Sequence, residues 1–323
     1  MLTIDTYDCW GQLRCVPRKL RIEYPGAIYH VMNRGDGGED IFQDNEDRKR
    51  FLSTLGKACQ KTGWQVHGYC LMRNHFHLVI ETPQANLVAG MKWLLGVYST
   101  RFNIRHNVCG HLFAGRYKAL LVDGNGNDYL KLVCDYAHLN PVRAKLLRAG
   151  WALERFRWSS YGEYLKPARQ RPAWLRVDRL LDGHGVAKDS AAGRKQFARQ
   201  MERHRAVEAG ADYRLIRRGW CLGSEAFRQK LLAAEARMGA SHYEAERQAT
   251  VEQKAERIVR EELKRLGWDK RDLPRRRKGD EGKVAVARRL HRETTVSLKW
   301  IAHRLQMGSW FYVSNLLNEG SRH

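Results

Sequence analysis

Met72-Arg73-Asn74-His75-Phe76-His77-Leu78-Val79-Ile80-Glu81 is the stretch that decides how this chain folds. It is a β-type run carrying two histidines separated by one large apolar residue. Side chains alternate faces along a strand, so His75 and His77 share one face, about 7 Å apart, while Phe76, Leu78 and Ile80 point into a core. The strand presents two imidazoles from one rigid platform. Two imidazoles do not close a metal site, so a third donor must come from elsewhere.

The best source of that donor lies about sixty residues on, in Tyr129 to Arg143. Tyr136 and Asn140 are four apart on a predicted helix, hence neighbours on one face. Pro141 is expected to end the helix, because the residue before proline is pushed out of the α region, leaving Asn140 at an accessible last turn. Two imidazoles plus the Asn140 amide oxygen leave open positions for phosphate and water, which suits Mg²⁺ or Mn²⁺ better than structural zinc. Such an ion acts as a Lewis acid on a phosphate.

The flanking sequence supplies a frame for this pair. Ala27 to Met32 reads as a first strand, followed by a glycine-rich loop from Asn33. Asn45 is the expected cap of a helix with the stripe Phe51, Leu52, Leu55, Ala58 and Cys59, stopped by Gly63. Trp64 to Met72 is a strand that turns at Arg73-Asn74 into the histidine strand. Asn86 then caps a second helix, where Leu87, Met91, Leu94, Tyr98 and Phe102 recur at helical spacing. Gly115 to Val122 is a last strand, with Arg116 and Lys118 on one face. This order is that of a ferredoxin-like α+β sandwich with an antiparallel sheet. Both helices should cover one face, leaving the other open for His75, His77 and the Tyr136 helix.

Beyond this unit the chain changes character. Residues 1–16 match nothing and read as an N-terminal extension. Residues 17–165 hold the motifs and strands, 166–250 read as a partly helical connector, and 251–323 as a helical DNA-binding region. The last contains a charged helix from Val251, a basic linker Pro274-Arg275-Arg276-Arg277-Lys278-Gly279, and three short helices with a turn at Met307-Gly308-Ser309. Ala302 and Gly308 are six apart, wider than the shortest helix-turn-helix. Ser309 and Asn315 fall on or near the recognition helix of such a module.

The 323 residues carry 58 Lys+Arg against 35 Asp+Glu, a net charge of +23, and 43% of them are hydrophobic. That charge is the footprint of a polyanion binder, with nucleic acid the expected partner. A membrane surface is disfavoured, because no long apolar segment is present and the basic residues are spread along the chain. Seven scattered cysteines without Cys-x-x-Cys spacing indicate neither a disulfide framework nor a zinc ribbon. The absence of a signal-like apolar stretch at the start leads to a cytoplasmic, nucleoid-associated expectation.

The His-hydrophobic-His strand followed by a helix ending Tyr136-Ala137-His138-Leu139-Asn140-Pro141-Val142-Arg143-Ala144 resembles the single-tyrosine HUH transposases, and most closely the REP-associated tyrosine transposases of bacteria. The likeness runs from about Pro17 through Tyr161, roughly half the chain, and includes Tyr24-Pro25-Gly26-Ala27-Ile28-Tyr29-His30-Val31-Met32-Asn33-Arg34-Gly35. Arg73 departs from it, standing where those proteins usually have proline. The C-terminal helices resemble the helix-turn-helix found in some of them. The resemblance implies Tyr136 as nucleophile and a 5′-phosphotyrosyl link with a free 3′-OH. It also implies single-stranded or hairpin DNA of repetitive extragenic palindromes as substrate. Arg34, Arg116, Lys118 and Arg143 are then expected to contact phosphates, and His138 to be structural. Against this, His75 and His77 read alone are two polar residues on a solvated face, and Tyr136 a core tyrosine. The competing functions are a non-catalytic DNA-binding regulator on the same scaffold and a metal-dependent nuclease that uses water.

Overall fold

The computed structural model describes residues 22–126, 128–148, 150–207, 213–237 and 242–319. The expected extension at 1–16 lies outside the described residues. The first half runs β1 (Ala27–Arg34), α1 (Asn45–Thr62), β2 (Gln65–Leu71), β3 (His75–Thr82), α2 (Leu87–His106), β4 (Lys118–Val122) and α3 (Asp128–Arg143). Then follow α4 (Tyr161–Tyr164), α5 (Asp178–Gly183), α6 (Ala191–Val207), α7 (Arg214–Arg218), β5 (Cys221–Leu222) and α8 (Glu225–Arg237). The last part holds α9 (His242–Leu266), α10 (Asp272–Arg275), α11 (Glu281–Glu293), α12 (Leu298–Arg304) and α13 (Trp310–Glu319).

The sheet has the order β2-β3-β1-β4-β5. Its first four strands pair antiparallel in the ferredoxin-like arrangement. Phe76, Leu78 and Ile80 are fully buried, and Phe51 of α1 packs on Phe76 with ring centroids 5.0 Å apart. The α2 stripe from Leu87 to Phe102 is buried as its spacing predicts. Helix α1 is capped one residue earlier than expected, with the Asp44 carboxylate accepting from the Asp47 N–H at 3.0 Å. Asn86 precedes α2, but its side chain is used elsewhere: Trp64 Nε1 donates to its Oδ1 and its Nδ2 donates to the Thr62 carbonyl, both at 2.8 Å.

One expectation is corrected: the sheet is not wholly antiparallel, because β5 adds parallel to β4 at Leu121–Cys221 and Val122–Leu222. The second face takes the Tyr136 helix as expected, with α3 packed across β2 and β3. The helix passes close to Gly68, where a Cβ would make ordinary contacts with Cys134 Sγ at 3.5 Å and Ser160 Oγ at 3.7 Å. Much of the region read as a connector also joins the sheet's core. Leu175, Leu180, Leu181, Val186, Phe197, Met201, Leu222 and Leu231 are buried in one apolar cluster with the strands. Short helices with few apolar residues give a weak periodic signal, although residues such as Leu180, Leu181, Phe197 and Met201 are buried. The outer edge of β2 is covered in the same way: Leu71 N–H donates to the Trp158 carbonyl at 2.8 Å, Val66 N–H to Trp174 at 3.1 Å, and Arg176 N–H to Val66 at 2.8 Å.

A second apolar cluster is formed by α9, Leu273, α11, α12 and α13. The helix-turn-helix expected there is present: α12 and α13 pack together, with Gln306 and Gly308 between them at φ 54° and 86°. Ser309 Oγ accepts from Tyr312 N–H at 3.2 Å and so caps α13, and Asn315 is exposed on that helix. Lys283 is fully buried, and its ammonium donates to the carbonyls of Arg276 and Gln306, both at 3.1 Å. These two bonds tie the basic segment to the turn before α13. No described helix is long and apolar enough to cross a membrane.

Candidate active site

In the β1–β3 register Met32 lies opposite His77 and Arg34 opposite His75. His75 and His77 thus share a face, with perpendicular rings 5.2 Å apart. Each has its Nδ1 engaged: His75 with Asn74 Oδ1 at 2.8 Å, and His77 with His30 Nε2 at 2.9 Å. An imidazole held at Nδ1 presents Nε2 to a ligand in a fixed orientation, the usual outer support of a metal-binding histidine. This donor chemistry fits a divalent ion held by His75 and His77.

His30 stacks on His77 at 5.1 Å, and α3 lays the Tyr136 ring edge-on against both, 5.6 Å from each centroid. The other side of Tyr136 is closed by Tyr213, 5.0 Å away, and by Arg143, whose guanidinium lies 3.9 Å from the ring centroid and also donates to the Tyr136 carbonyl. The side chain is consequently only 6% exposed. Asn140 is buried one turn further on. Pro141 does not end α3, which continues to Arg143. Proline removes only the bond to the Ala137 carbonyl, and the carbonyls of Asn140 and Pro141 still accept from the N–H groups of Ala144 and Leu146, both at 2.9 Å.

Beside the histidines lies a cleft of about 460 Å³ lined by Arg34, Asn74, His75, His77, Arg116 and Lys118, together with Met32, Asn33 and Ala114. Three of the four expected phosphate contacts therefore border the histidine pair. Arg143 does not line it but stacks on Tyr136. Ser309 caps α13 and Asn315 lies on it, a helix that packs in the second apolar cluster through Val313. His138 is structural in position, buried with Nε2 2.8 Å from Ser160 Oγ.

The histidines are neutral in the fold. Burial and then the nearby Arg34 charge lower the His75 pKa to about 4, and burial and then Arg143 lower that of His30 to about 3. His77 is pushed well below its ordinary value by burial and then by its two histidine neighbours. Burial lowers His138 to about 4. Neutral imidazoles keep the lone pairs that ligation needs. Between about pH 6.5, where these groups titrate when unfolded, and about pH 4, the unfolded chain binds more protons than the folded one. Stability should therefore be full above that window and fall as the pH drops through it, which urea midpoints from pH 7.5 to 4.5 will measure. A flat profile would mean that the imidazoles are not held neutral.

Sequence reasoning missed His30, Asn74 and Tyr213. His30 was legible in principle as the one histidine inside the apolar run Ala27 to Met32. Asn74 offered only its place before His75, and for Tyr213 no sequence signal exists.

A ferredoxin-like sheet thus carries paired, neutral histidines under a helical tyrosine, beside a basic cleft. Residues 24–139 match the model of the family described as "Transposase IS200 like". A solved structure described as the "REP associates tyrosine transposase bound to a REP hairpin" is also similar, at 13% identity and a TM-score of 0.38, over 49% of this chain and 88% of that one. A search of curated proteins finds no match.

Proposed function

We propose that this protein cleaves and transfers DNA strands, with Tyr136 as the nucleophile and single-stranded or hairpin DNA as substrate. The observation that carries this reading is the packing of Tyr136 on the His30–His77 pair, 5.6 Å from each ring, within the segment that matches the IS200-like transposase family. His75, His77 and the Asn140 amide oxygen are the proposed holders of Mg²⁺ or Mn²⁺, which when bound supplies charge to polarise a phosphodiester. Arg34, Arg116 and Lys118 seat the strand through its phosphates. The Tyr136 oxygen attacks phosphorus, forming a phosphotyrosyl bond as the bond to the 3′ oxygen breaks. The phenolic proton ends on that oxygen, giving a free 3′-OH and conserving the bond energy for rejoining. Attack requires Arg143 and Tyr213 to move off the ring they cover.

One observation favours a non-catalytic DNA-binding regulator instead: Tyr136 is nearly buried. Incubation with a hairpin oligonucleotide flanked by single strands, with Mg²⁺ or Mn²⁺, decides between them. A strand covalently attached to protein on a denaturing gel supports the transferase. Binding without cleavage supports the regulator, and cleavage without an adduct a water-using nuclease. Hairpins built on repetitive extragenic palindromes are the specific substrate we propose.

The two apolar clusters suggest a division of labour, with cleavage in the first and added DNA affinity in residues 251–323. Arg275, Arg277 and Lys278 are exposed, whereas Arg276 stacks on Trp268, 3.8 Å from its centroid. Replacing the three exposed residues by alanine should make the salt dependence of affinity shallower, with cleavage kept at saturating DNA. The log–log slope should fall by roughly 0.7–0.9 for each phosphate that the variant no longer neutralises. An affinity series from low to physiological salt checks this. An unchanged slope would remove the basic segment from the DNA interface.

A further inference from the structure

Asp135 adjoins Tyr136 in sequence but faces another way, since successive helix residues are about 100° apart. Its carboxylate meets two histidines brought from separate elements. His184, just after α5, places Nε2 2.9 Å from Asp135 Oδ1, and His204, in the last turn of α6, places Nδ1 3.0 Å from Oδ2. One donor atom from each residue lies within 4.8 Å of the others. Asp135 and His184 are buried, while the His204 side chain is 38% exposed.

The hydrogen bonding around His184 points to a cation. Its Nδ1 lies 2.9 Å from Gln200 Oε1, an oxygen that only accepts, so Nδ1 carries the proton. In the neutral ring Nε2 then presents a lone pair to the Asp135 carboxylate, and acceptor faces acceptor. A metal ion between them resolves this, as does a turn of the Gln200 amide that brings its Nε2 to the ring. The spacing suits the ion. Ligand atoms on a tetrahedral centre with bonds of about 2.0–2.1 Å lie about 3.3 Å apart, and here one donor atom from each residue already lies within 4.8 Å of the others. The two imidazoles sit on different carboxylate oxygens, Oδ1 and Oδ2, so a modest side-chain adjustment completes the set. Gln200 would then play the outer part that a carbonyl plays for a ligating histidine.

We infer that Asp135, His184 and His204 form a zinc-type metal site, distinct from the His75–His77 pair, that fastens α5 and α6 to the tyrosine helix. Two imidazoles and one carboxylate suit Zn²⁺ rather than Mg²⁺, and the fourth position opens to solvent beside His204. The ion holds α3 in place and touches no reacting atom.

The test uses full-length protein stripped of metal and titrated with Zn²⁺, and with Co²⁺ as an absorbing probe of tetrahedral ligation. Wild type should bind Zn²⁺ with a rise in melting temperature. The double variant His75→Ala/His77→Ala should retain this site, so its survival is independent of the proposed catalytic reading. His204→Ala, at a partly exposed position that leaves little cavity, should lose more affinity than the about 10–100-fold expected for Gln200→Ala, which removes only an outer partner. The inference is overturned if the His75/His77 double variant takes up no zinc, or if His204→Ala and Asp135→Asn bind zinc as wild type does. In either case the cluster is a hydrogen-bonded clamp that takes up no metal.

Discussion

Tyr136→Phe protein is expected to bind hairpin DNA nearly as wild type does and to form no covalent adduct at all. The substitution removes one oxygen and keeps the ring, so the edge-on contacts with His30 and His77 and the Arg143 stack are retained. Affinity rests mainly on charge, which is unchanged at Arg34, Arg116 and Lys118. If the phenol is the nucleophile, no neighbouring group replaces it, and the loss is complete rather than partial. The measurement is paired: affinity by fluorescence anisotropy and adduct by denaturing gel on the same oligonucleotide. An adduct of undiminished yield would move the nucleophile to another residue.

His75→Ala is the second large effect, expected to abolish metal-dependent cleavage with little change in stability. His75 is only partly buried, at the mouth of the cleft, and its one polar partner is the neighbouring Asn74. His77→Ala should abolish cleavage too, but with a folding cost. It leaves His30 Nε2 buried without its partner, which costs about 1–3 kcal/mol. His75 is therefore the cleaner probe, and thermal melts separate the two effects. Asn140→Ala should be milder, since an amide oxygen is the weakest of the three donors. Full cleavage by wild type in excess chelator would sink the metal proposal.

Short-period patterns were legible in the sequence. The alternation His75, Phe76, His77, Leu78 assigned faces correctly because a strand has a period of two and one of its faces is dry. Leu87, Met91, Leu94 and Tyr98 did the same for α2 at helical period. What packs behind the tyrosine helix was not legible: α5 and α6 reach α3 from distant sequence. The second imidazole pair followed the same rule. His30 joins His77 only through the β1–β3 register, and Asp135, His184 and His204 meet across about seventy residues of chain. Pro141 misled because a local rule for helix ends was outweighed by the carbonyl bonds that continue the last turn.

The covered edge of β2 bears on how copies of this chain can assemble. An exposed edge strand offers unpaired N–H and C=O groups that recruit a strand from another molecule. Here Val66 and Leu71 already spend theirs on Trp158, Trp174 and Arg176 of the same chain. Two protomers cannot run one continuous sheet through that side without first peeling away residues 158–176. Strand exchange at β2 is blocked by the chain's own return across it.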